Sequence, residues 1–249
     1  MSVQNRIDAN RSDTKQNAPT TASTRKTAAL VGLLFLTATA AFIVANTLLT
    51  GVVHHPDFLT SAVAENTTLA TGALFVFGQF GVVGIAVLLF PLLRRHGQAL
   101  ALAHVGFRVA ELAASLFYLA VPLLAIELGT GLVAGTVEAS ASAGLSSLLQ
   151  ALQSVATLMV YLVTTIGGMC MAVLLYRSKL IPQWIATLGV IGYPTLLAGS
   201  ILDMFGTVDV TQGIGMAALV PGGLFELILP IWLIAKGFNF PSVRIEPGH

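Results

Sequence analysis

HVGFRVAELAASLFY, residues 104–118, places an arginine and a glutamate in a segment otherwise apolar enough to lie in lipid. At helical periodicity His104, Arg108, Glu111, Ser115 and Tyr118 follow one another at steps of four, three, four and three, which is one continuous helix face. That face cannot meet hydrocarbon. Each charge near the bilayer centre costs roughly 2.5–3.5 kcal/mol on insertion scales, so the stripe must turn toward other helices or water. The rest of the chain has to supply a bundle around it.

Composition agrees. Charged residues make up 9% of the 249, against roughly 25% in soluble domains. Apolar residues make up 55% and the mean hydropathy is +0.86, more apolar surface than a soluble core can hide, so part of the solvent is lipid. A net charge of +1 gives no reason to expect nucleic acid as a partner. Cys170, the single cysteine, lies in an apolar run and reads as a packing residue.

Apolar runs at about 27–49, 68–93, 99–127, 146–175, 183–205 and 212–236 are each long enough to cross a bilayer core, giving an all-α, polytopic bundle of six transmembrane helices. The third and fourth are long enough that they should tilt or project. Residues 1–25 are polar and lack hydrophobic periodicity, as expected of a disordered tail. A six-span domain follows over 26–240, and 241–249 form a short C-terminal tail. The first apolar run outlasts the core of a signal peptide and follows too long a polar tail, so it reads as an uncleaved span.

Arg94 and Arg95, Arg177 and Lys179, and Lys236 and Arg244 join Arg25 and Lys26 on one set of connections, while 50–67, 128–145 and 206–211 contain no Lys or Arg. The positive-inside rule then places the N and C termini in the cytoplasm. Eleven of the twelve basic residues obey this plan, and Arg108 is the exception. In the turn YRSKLIPQW, 176–184, Pro182 opens the fifth span and the flanking charges anchor it at the lipid phosphates.

FRVAE at 107–111, YRSKLIPQWIATLGVIG at 176–192 and FELILPIWLIAKGFN at 225–239 resemble the signature stretches of the bacterial membrane family named domain of unknown function 4386. Gln183 departs from that pattern, in which a basic residue is expected after Ile-Pro. The resemblance covers roughly 26–240 and implies a multi-pass protein of the bacterial inner membrane. It brings no activity with it.

Glu226 in the sixth span lies ten residues before Lys236, about 15 Å from the basic edge, which is also the depth of Arg108 counted from Ala99. With Gly215 and Gly222 on its face, the sixth span is expected to pack against the third, Arg108 bonding Glu111, Glu226 or both. Pro122, Pro194 and Pro230 each free a carbonyl on a polar face. Gln79 in the second span, and Gln150, Ser154, Thr157, Tyr161, Thr164 and Gly168 in the fourth, extend a polar centre.

Two readings of this centre are open. Arg108, Glu111 and Glu226 form an ion network that fixes helix register, or, with His104, Ser115, Tyr118 and Gln79, they bind or move a small polar or amphiphilic molecule or protons. Membrane lipids are the expected partners. No cofactor is expected, and enzymatic motifs such as HExxH, CxxC, GxSxG and glycine-rich phosphate loops are absent from the sequence. His54, His55, Asp57 and Glu65 gather in the first outer connection without a recognised metal-ligand spacing. Residues 128–145, rich in Gly, Ala and Ser, read as a flexible or interfacial lid over the outer face.

Overall fold

Apolar runs of this length can satisfy their own backbone groups in lipid only as helices. The computed structural model describes residues 21–55 and 57–239, and these contain helices and turns and no strand. The elements are α1 (Thr21–Val53), α2 (Phe58–Ala64), α3 (Asn66–Val76), α4 (Phe80–Leu93), α5 (Gln98–Val133), α6 (Ser142–Ser178), α7 (Gln183–Met204) and α8 (Val220–Ala235). Short 3-10 turns join α3 to α4 at Phe77–Gln79 and lead into α8 at Gly213–Leu219. Six stretches are long and apolar enough to cross a membrane: Thr24–Val53, Asn66–His96, Gln98–Val133, Ala139–Ser178, Gln183–Met204 and Gly213–Ala235.

The six spans form a ring. Each packs against its neighbours in the chain, and α8 closes the ring on α1. Spans three and six are therefore opposite one another, and the close packing expected between α5 and α8 does not occur. Glu226 approaches the third span only across the centre of the ring. The small residues of the sixth span do admit a neighbour, but that neighbour is the fifth: a side chain on Gly192 of α7 would overlap the backbone of Gly222. On the other flank, a Cβ on Gly32 of α1 would fall 2.7 Å from the carbonyl oxygen of Pro230.

The core is divided by depth. One buried cluster, including Val31, Leu89, Leu175, Ile185 and Leu233, fills the end that carries the basic residues. A second, including Leu49, Phe58, Leu69, Val121 and Leu149, fills the other end. At the basic end Arg25 donates to the carbonyl of Ala235 at 3.2 Å, and the amide of Asn239 donates to Leu180 at 2.7 Å. The turn after α6 buries Leu180 and Ile181.

The opposite end departs from the sequence reading. The connection 50–67 holds the helix α2, whose Phe58 and Leu59 are fully buried. Apolar side chains at Phe58, Leu59 and Ala62 let it seat against α5. Residues 128–145 form no lid. The third and fourth spans continue as helix and meet in a turn where Gly135 takes φ 74° and the carbonyl of Gly131 accepts from the amides of Thr136 and Val137. At 36 and 40 residues, these helices reach about 54 and 60 Å at 1.5 Å per residue, well beyond a hydrocarbon core of about 30 Å. The disordered tail expected at 1–25 and the tail at 241–249 lie outside the described residues, except that α1 already begins at Thr21.

The Gly192–Gly222 contact should govern assembly of the ring. Gly192→Ala is expected to lower stability in detergent by about 1–3 kcal/mol, the usual cost of overpacking. Gly223→Ala, where nothing lies within 4 Å, should leave it unchanged. Thermal unfolding of the two variants beside the parent protein checks both.

Candidate functional site

Between the two apolar clusters lies a cavity of about 270 Å³ lined by residues of all six spans. Arg108 and Glu111 come from α5, Glu226 from α8, Tyr193 from α7, Tyr161 and Thr164 from α6, and Gln79 from the turn between α3 and α4. Phe35, Phe42, Val82, Ile85, Val160 and Leu196 are among the apolar residues of the wall. Arg108 is ten residues into α5, and Glu226 nine residues from the end of α8, which puts both about 14–15 Å from the basic end.

Arg108 Nη1 donates to Glu111 Oε2 at 2.5 Å, and both side chains are 5% exposed. Among the described residues this is the one ion pair. Because the partners are three residues apart on one helix, the pair forms within α5 and ties it to no other span. Glu226 Oε1 instead accepts from the hydroxyl of Tyr193 at 3.0 Å. The ring of Tyr193 stacks edge-on against Phe225 and fills the space left by Gly168, where a Cβ would overlap it. The Glu226 carboxyl group is thus held by a neutral donor and lies beside an already neutralised Arg108–Glu111 pair.

A second, larger cavity of about 770 Å³ occupies the outer half of the ring. Its wall carries more polar groups than that of the inner cavity: Asn46, His54, Tyr118, Gln150, Ser154, Asp203 and Asp209 contribute, and it contains neither lysine nor arginine. Gln150 Nε2 donates to the carbonyls of Val53 at 2.8 Å and His55 at 3.1 Å. Asp203 Oδ2 accepts from the amide of Val210 at 2.8 Å and so fixes the loop over the entrance.

The seven residues expected at the polar centre therefore separate. Arg108, Glu111, Glu226 and Gln79 line the inner cavity. Tyr118 lines the outer one, its hydroxyl donating to Asn46 Oδ1 at 3.3 Å. His104 is packed between α5 and α6, with Nδ1–H donating to the carbonyl of Gly167 at 2.9 Å and Nε2 buried without a partner. Ser115 is buried, lines neither cavity, and its hydroxyl has no partner. In the first outer connection, Asp57 donates its amide to His55 Nδ1. No group of three or more His, Cys, Asp or Glu among the described residues is placed to hold a metal.

A family model described as Domain of unknown function (DUF4386) matches residues 30–237. The chain belongs to this family. No curated protein and no solved structure matches it. The matched segment of this DUF4386 member contains every residue of both cavities.

Tyr193 and Asn46 escaped the sequence reading. Asn46 stands with Thr47 and Thr50 in the first span, and only the packing of α7 against α6 and α8 turns Tyr193 inward. For Tyr193 the adjacent Pro194 was the available signal.

The intrahelical pair makes a quantitative prediction. Arg108→Leu leaves Glu111 buried and unpaired, and should cost about 3–5 kcal/mol, the usual penalty for breaking a buried pair. Arg108→Leu combined with Glu111→Leu removes both charges and should recover most of that loss. Unfolding of the two variants in the same detergent tests it; equal losses in single and double variants would contradict the pairing.

Proposed function

We propose that this DUF4386 protein binds a small amphiphilic cation within the membrane, its head group held at Glu226 and its apolar part against the aliphatic and aromatic wall. The observation that carries the reading is a mid-depth cavity in which Glu226 is the one carboxyl group without an ion-pair partner. Apolar surface with a few convergent polar groups is the usual make-up of a small-molecule site. Tyrosine faces beside a carboxylate suit an ammonium group.

Access from lipid supports an amphiphile over a wholly polar solute. Ile43 of α1 and Leu227 of α8 both line the cavity and are exposed, at 53% and 44%. An apolar tail can therefore pass between spans one and six from the acyl layer. The register-fixing reading explains less, because Arg108 and Glu111 share a helix and hold no two spans together.

The same reading places the protein in a bacterial inner membrane with both termini in the cytoplasm. Arg25, Arg94, Arg95, Arg177, Lys179 and Lys236 lie at one end of the ring, and the connections at the other end contain no Lys or Arg. That asymmetry is what the positive-inside rule acts on.

Native mass spectrometry of the protein extracted from membranes is the test. A bound small molecule is expected on the parent protein and on Glu65→Gln, an exposed change in the outer connection, and is expected to be lost from Glu226→Gln. An unliganded parent protein, or equal occupancy in Glu226→Gln, would contradict the proposal.

A further inference from the structure

The two cavities are stacked along the axis of the ring, and two side chains line both: Tyr161 of α6 and Leu219 at the entry to α8. We infer that these two residues form a gate, and that the outer cavity is an aqueous antechamber through which a cation reaches Glu226 from the face without lysine or arginine. The inference goes beyond ligand binding in the inner cavity, since it concerns a water-filled route and holds whether or not a ligand co-purifies.

Three features carry it. The first is the shared wall. Tyr161 is 9% exposed and its hydroxyl makes no hydrogen bond with another described group, so its aromatic ring divides the cavities without being tied to either side. Leu219 comes from the 3-10 turn that opens the sixth span, separated from α6 in the ring by α7. Such turns have poorer hydrogen-bond geometry than α-helix, and runs longer than three or four residues are uncommon.

The second feature is polarity. A volume of about 770 Å³ is roomy enough for many waters, since one water takes about 30 Å³ in the liquid. Its wall offers those waters partners at Gln150, Ser154, Asp203 and Asp209. The third is the sign of the charge. Asp203 and Asp209 above the gate and Glu226 below it present carboxyl groups along the route, beside the imidazole of His54 at the outer end, and the one arginine on the path, Arg108, is already paired with Glu111. A route lined by one sign of charge concentrates the opposite sign.

Thiol labelling in sealed vesicles tests the gate on the whole protein with Cys170 replaced by serine. Ser154→Cys reports the antechamber, and its reaction with a membrane-impermeant trimethylammonium thiosulfonate identifies the vesicle orientation that exposes it. Gly222→Cys reports the inner cavity; there a Cβ makes only ordinary contacts, the nearest at 3.7 Å. In that orientation Ser154→Cys should react rapidly, and faster with the cationic reagent than with its sulfonate analogue. Gly222→Cys should react slowly, and adding either Tyr161→Ala or Leu219→Ala should accelerate it about tenfold or more, as expected if the open state is a minor population of at most about a tenth. Two independent gate variants guard against one that fails to fold, and size-exclusion chromatography of each establishes that it is intact. Gly222→Cys rates unchanged by both variants, or faster labelling from the basic face than from the antechamber face, would overturn the gate. Neither result bears on whether the parent protein carries a ligand in the mass spectrometer, so failure of the gate and failure of the binding reading are separable.

Discussion

An arginine near the centre of a bilayer has no water to solvate it, and the arrangement of this protein follows from how Arg108 is accommodated. Its carboxylate partner is three residues along the same helix, so the pair is complete as soon as α5 is a helix. A charge satisfied within its own helix asks little of its neighbours beyond exclusion of lipid, and six spans closed in a ring supply that. The ring can then leave space at its centre, because no inter-helical ion pair has to pull opposite spans together.

What closes the ring is small side chains and not charge. Spans five and six approach at Gly192 and Gly222, and spans six and one at Gly32 and Pro230. In lipid, where the hydrophobic effect does not drive helices together, close backbone approach and dispersion do this work. These contacts lie on the perimeter, so the centre is held open by geometry while an apolar cluster seals the basic end. Glu226 faces that opening with a tyrosine hydroxyl as its partner, which leaves it the one carboxylate of the inner cavity without a neutralising cation.

Much of this was legible in the sequence. Six long apolar runs with charges confined to alternate connections can only be a multi-span helical protein, and an Arg, a Glu and a second Glu at matched depth mark a buried polar centre. Ring order was not legible, because periodicity shows which face of a helix is polar but not which helix it meets. Arg108 and Glu226 at equal depth suggested neighbouring spans; they lie across a cavity instead. Gly222 was recognised as a point of close approach, though its partner proved to be Gly192. The helix within the connection at 50–67 gave no signal because α2 is only 7 residues long and its apolar positions show up only once α5 is beside them. Tyr193 went unnoticed because one tyrosine in an apolar span carries no pattern.

The division of labour that emerges is a paired arginine that tolerates the membrane, a free carboxylate that gives the cavity its sign, and aromatic groups that shape access to it. Its central claim is that Arg108 and Glu226 face each other across an open space and not across a helix contact. A density map of the protein in lipid nanodiscs, at a resolution that shows side chains, tests this most directly. The account predicts spans in ring order, Arg108 bonded to Glu111, Glu226 bonded to Tyr193, and non-protein density between them. A map in which α5 and α8 pack directly and Arg108 bonds Glu226 with no intervening space would contradict it.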